Sequence, residues 1–221
     1  MLLIILLILV IFIFYIGLNA FKQQNEYDNE ISKRLTEEIE VPQNYVTSDK
    51  IILNLRSVLI NEKIISIKIF QINDTYFHSH SEGKYIIDGG VEFITSKGYF
   101  SVAFSSKYEQ YIFDSLPFKN IYENDNYFEL EEDEIASIKS VLYKKVKDAC
   151  LKTKDFDEIV DYTMKTEKIT KLVEVFLTFE DNQNLQISLV NNFYEEKGEP
   201  KPHKYSVDEE VLISLNRIEI K

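Results

Sequence analysis

Residues 91–104, VEFITSKGYFSVAF, decide the fold class from which the rest of the chain is read. Val91 and Phe93 alternate along one strand, Lys97 and Gly98 turn the chain, and Phe100, Val102 and Phe104 share one face of the returning strand. The opposite face, Tyr99, Ser101 and Ala103, is milder and predicts a partly wet side. Ahead of this hairpin, Asp88, Gly89 and Gly90 read as a turn, because glycine tolerates the backbone angles that turns require.

Working upstream, residues 49–60 place Ile51, Ile52, Leu55, Val58 and Leu59 on one helical face. Ile65, Ile67 and Ile69 then alternate as in a strand. Working downstream, Ile52, Leu55, Arg56, Ser57, Val58 and Leu59 match Ile135, Ile138, Lys139, Ser140, Val141 and Leu142 at one constant offset. A second hairpin follows: Val173, Val175, Leu177 and Phe179 alternate, Asp181 and Asn182 supply turn chemistry, and Leu185, Ile187 and Leu189 return. The expectation is an α+β domain over residues 49–221, built of two tandem related helix–strand–hairpin units at 49–130 and 131–221. Residues 108–118 and 155–164 read as connections with some helical character. A last strand carries Val211, Ile213 and Leu215, then shifts phase towards Ile218 and Ile220.

The N-terminal stretch, MLLIILLILVIFIFYIGL at residues 1–18, has no charge and is long enough for a bilayer core, so residues 1–21 are predicted to be a single-pass transmembrane anchor. No basic residue precedes the run and bulky Leu18 lies three residues before the one plausible cleavage point after Ala20, which argues for a retained anchor over a cleaved signal. Lys22, Lys33 and Arg34 follow the span and favour a cytoplasmic globular part, with export the alternative. Tyr27, Ile31, Leu35 and Ile39 recur at helical spacing, and Pro42 opens a linker, so residues 22–48 read as a juxtamembrane helix and linker.

A formal net charge of −12 repels phosphate backbones and attracts basic proteins, which disfavours nucleic-acid binding. The one basic cluster, Lys139, Lys144, Lys145, Lys147, Lys152 and Lys154, reads as a solvated face. A single cysteine, Cys150, excludes an intramolecular disulfide framework and is expected to be a buried thiol. The fold must hold by packing.

No nucleophile elbow and no glycine-rich phosphate loop occur in the chain. His78 and His80 would point to one side of an extended segment, but two ligands are too few for zinc unless Asp74, Glu82 or His203 joins them. The run Glu129, Glu131, Glu132, Asp133 and Glu134 lacks the spacing of a calcium loop and suits a helix N-terminus before Ile135. Tyr108, Tyr111, Phe113, Tyr122, Tyr127 and Phe128 are aromatics suited to a core or an interface. Where they meet the acidic run, Tyr122, Tyr127, Phe128, Glu129, Glu131, Glu132 and Asp133 form the candidate partner-binding residues, an aromatic patch with an acidic rim.

These readings give a membrane-anchored, non-enzymatic protein-interaction domain, in its sharpest form an inhibitor or immunity-type protein against a basic toxin, with no cofactor. The alternatives are a membrane-bound metal-dependent hydrolase using His78 and His80, and a structural subunit of an envelope complex.

Overall fold

The computed structural model describes residues 45–72, 83–159, 165–191 and 203–220. Helix α1 (Asp49–Leu59) forms where the apolar stripe predicted it, with Ser48 at its N-cap and Leu55, Val58 and Leu59 buried. Strand β1 (Ile64–Gln71) follows, then β2 (Lys84–Ile87), β3 (Gly90–Thr95), β4 (Gly98–Ser105), β5 (Gln110–Asp114) and the short β6 (Phe128–Glu129). The second half supplies β7 (Val146–Ile159), β8 (Thr166–Phe179), β9 (Asn184–Asn191), β10 (Lys204–Tyr205) and β11 (Glu210–Ser214).

These strands make two antiparallel sheets. One is five-stranded in the order β5-β4-β3-β1-β6; the other runs β2-β11-β9-β8-β7, with β10 added to β9. The expected α+β fold is therefore corrected to a mostly-β fold with one α-helix among the described residues. The tandem units fail as an architecture too, because β2, from the first half, pairs with β11 in the second sheet. The predicted second helix is replaced by turns that end in a 3₁₀ segment, Ile138–Val141. Its buried residues explain why: Ile135, Ile138 and Val141 recur every third position, which fits the 3₁₀ repeat better than the α-helical one. Carboxylates also compete locally, since Glu134 Oε2 accepts from the Glu131 amide at 2.7 Å and Asp133 Oδ1 from the Glu134 amide at 3.1 Å.

No helix among the described residues is long and apolar enough to cross a membrane. The expected single-pass membrane assignment, and the localisation that came with it, are corrected on that finding. The predicted span at 1–21 and the helix of Tyr27 to Ile39 lie outside the described residues. The last part of the predicted linker is fastened to the domain: Tyr45 and Thr47 are buried, Tyr45 Oη donates to the Phe113 carbonyl at 3.1 Å, and Thr47 Oγ1 accepts from the Leu172 amide at 2.7 Å.

One core draws on both sheets. Ile67, Ile69, Val91, Phe93, Phe100, Val102 and Phe113 come from the first, and Val173, Val175, Leu177, Leu185, Ile187, Leu189, Val211 and Ile213 from the second. A smaller cluster of Tyr45, Phe70, Ala103, Ile112, Phe118, Ile121 and Tyr122 covers the other face of the first sheet. Ser101 and Ala103, expected on a partly wet face, are consequently fully buried. Ile65 is instead 44% exposed, because a register shift between Ile64 and Ser66 breaks the predicted alternation and leaves Ile64 inside. The chain passes from β2 in one sheet to β3 in the other through Asp88 and Gly89 alone. Gly90, the first residue of β3, has φ +154, and a Cβ there would lie 2.1 Å from the Val102 carbonyl oxygen.

Candidate functional site

The candidate partner-binding residues separate into two groups. Tyr122 is buried and Tyr127 half-buried in an aromatic cluster, where Phe70 stacks on Phe118 with centroids 3.9 Å apart and Tyr127 meets Phe70, Phe118 and Tyr122 edge-on at 5.4, 5.1 and 5.9 Å. Their rings hold the outer face of the first sheet together. Lys119 lies 5.7 Å from the centre of the Tyr127 ring, and a hydrogen bond with Tyr127 holds its ammonium above the usual lysine range.

The second group is an exposed strip. Phe128 and Glu129 form β6, which pairs with Phe70 and Gln71 of β1 and ends the first sheet on that side. Phe128 is 38% exposed, unusual for a large aromatic beside so much charge. Glu129 pairs with Lys68 at 2.9 Å and Glu132 with Lys139 at 3.1 Å, both across solvent. Glu131 and Asp133 are exposed and make no ion pair among the described residues. Leu130 anchors the strip from beneath: its side chain is buried and its amide donates to the Ile69 carbonyl at 2.9 Å. Residues 129–133 line an open hollow of about 580 Å³. The geometry thus supplies a short strand edge, one exposed ring and a carboxylate rim, which are groups for recognition.

No catalytic constellation is assembled among the described residues. His78 and His80 lie outside the described residues, and no group of three metal-binding side chains occurs among the described ones. His203, the possible third ligand, has Nε2 3.2 Å from Lys84 Nζ, and burial holds both groups below their ordinary pKa. A neighbouring ammonium opposes a metal ion there. Residues 81–84, SEGK, carry S-x-x-K spacing, but Ser81 lies outside the described residues, and Lys84 opens strand β2. Cys150, expected to be buried, is exposed, because β7 is the outermost strand of its sheet. Three of the six lysines in the basic cluster are ion-paired, Lys139 with Glu132, Lys144 with Asp181 and Lys145 with Glu180, while Lys152 lies over the Tyr205 ring at 4.5 Å.

The best-satisfied buried acid is structural. Glu174 Oε2 accepts from Gln186 Nε2 at 2.8 Å, Ser188 Oγ at 3.1 Å and Tyr205 Oη at 2.8 Å. Gln186 also exchanges two hydrogen bonds with the backbone of Ile218, tying down the chain after β11. The sequence pattern did not reveal a second hollow, at one end of the second sheet, whose wall comes from four separated segments. Its one sequence signal is the amide run Asn182, Gln183 and Asn184 at a turn.

Compared with known proteins, the chain matches no family model, no curated protein and no solved structure.

Proposed function

We propose that this protein is a non-enzymatic interaction domain that captures a basic protein through the strip Phe128, Glu129, Glu131, Glu132 and Asp133, with Tyr122 and Tyr127 bracing it from inside. The observation that carries this reading is the exposed ring of Phe128 on a sheet edge, set among four carboxylates of which two have no ion-pair partner among the described residues. A net charge of −12 extends the attraction beyond contact distance and speeds encounter. Burial of Phe128 against the partner would slow dissociation. Neutralisation of a basic toxin or nuclease is the sharpest form of this activity.

The test uses the full chain as bait, identifies the captured protein by mass spectrometry, and measures its affinity across a salt series. Affinity should fall steeply as salt rises. A combined Glu129→Gln, Glu131→Gln, Glu132→Gln and Asp133→Asn variant should bind at least about tenfold more weakly. A flat salt response, or unchanged affinity in that variant, rejects the proposal.

A further inference from the structure

The hollow at the end of the second sheet has a volume of about 630 Å³, within the range of small-ligand sites. Ser137 and Ser140 come from the segment around the 3₁₀ turn, Asn182, Gln183 and Asn184 from the β8–β9 turn, and Asn216 from the chain just past β11. These six side chains are neutral and polar, and Leu215 and Gly83 complete the wall.

Their hydrogen bonds to one another and to Tyr85 and Thr178 leave a defined set of donors and acceptors facing a ligand. Tyr85 Oη donates to the Glu134 carbonyl at 3.0 Å, so in its 2.6 Å bond with Ser137 the serine is the donor and Ser137 Oγ keeps its lone pairs. Gln183 Nε2 donates to Ser140 Oγ at 2.8 Å, which leaves the Ser140 hydroxyl hydrogen to donate. Thr178 Oγ1 donates to Asn184 Oδ1 at 3.1 Å, so the Asn184 NH₂ remains a donor. Asn182 and Asn216 have no side-chain partner among the described residues and offer a donor and an acceptor each. Lys144, which reaches the β8–β9 turn, is spent on Asp181 and Gln183, both at 2.5 Å, and its hydrogen bond holds the Asp181 carboxyl below the usual carboxylate range.

This wall discriminates by chemistry. An anion finds no free cation in it, a cation finds no carboxylate, and an apolar ligand would strip water from amides and hydroxyls without replacing the lost hydrogen bonds. A peptide main chain is usually read along a strand edge, whereas these groups are side chains on turns. Hydroxyls that each donate and accept match the wall best. We propose that this hollow is a binding site for a neutral saccharide, held by Ser137, Ser140, Asn184 and the amides of Asn182 and Asn216.

The experiment is an amide-resolved NMR titration of the labelled protein with glucose, galactose, mannose, N-acetylglucosamine, glucuronate and triglycine. At least one neutral sugar should give saturable shifts centred on residues 137–140, 182–184 and 216. Asn184→Leu should weaken that binding at least about tenfold, and Ser140→Ala, on the exposed surface, by severalfold with an otherwise unchanged spectrum. The acid-neutralised variant of residues 129–133 should bind the sugar as before, which separates this site from the protein-binding strip. No saturable shift with any of the four neutral sugars overturns the proposal. So does equal binding of glucuronate, a response to triglycine alone, or full affinity in both variants.

Discussion

Tyr205 shows how a single side chain is tuned by what surrounds it. Burial, followed by its hydrogen bond to Glu174, holds its hydroxyl well above the ordinary tyrosine pKa, and burial does the same for Tyr45 and Tyr111. A group whose pKa is raised by folding contributes its full stability below its unfolded pKa, about 10 for tyrosine, and loses it as pH climbs towards the folded value. The domain should therefore hold constant stability with respect to these groups up to about pH 10 and lose it steadily above. Denaturant midpoints across alkaline pH, read beside phenolate absorbance, measure this. Tyr205→Phe should cost roughly 1 kcal/mol at neutral pH, through the lost bond to Glu174, and should flatten part of the alkaline decline. A midpoint that rises with pH in this window would contradict the assignment.

At the scale of elements, the corner from β2 to β3 is the least tolerant point of the fold. Gly90 has φ +154 and sits so close to Val102 that a Cβ would meet its carbonyl oxygen at 2.1 Å. A Cβ added at Gly89 would meet the Phe70 carbonyl oxygen just as closely, at 2.2 Å. Gly90→Ala should destabilise by several kcal/mol, on the order of the largest single-residue effects, because backbone must move to admit the methyl group. Thermal melts of that variant beside Gly98→Ala, whose added Cβ would meet only Val58 at 3.5 Å, separate crowding from backbone strain. Which elements could be read from sequence follows from the same physics. Helix α1 and the hairpins β3–β4 and β8–β9 carry apolar alternation on a buried face, and the pattern names them. Strand β7 does not, since its outer position leaves Lys147, Asp148, Lys152, Lys154, Asp155 and Asp157 exposed and charge hides the alternation. The acidic strip was legible as a charge run. The polar hollow was not, because its eight lining residues meet only after four distant segments fold together.

Across the whole described domain, the two sheets are bound by shared strands as well as by a shared core. Besides the β2–β11 pairing, Lys63 bridges Lys145, Tyr143 donates its amide to the Ile64 carbonyl at 2.7 Å, and Tyr111 donates to the Val207 carbonyl at 2.6 Å. Calorimetric and van't Hoff enthalpies of the domain should agree, as for a single two-state transition. Two resolved transitions would show that the sheets melt separately. Because β1 pairs with β3 and β6 from beyond that point, and β2 ties the rest of the first sheet to β11, a break in the chain between β1 and β2 should not free either sheet as a folded fragment. Both cleavage products should stay associated under native conditions and come apart only in denaturant, so the domain should behave towards proteases as a knot of two intertwined parts, cut without being undone.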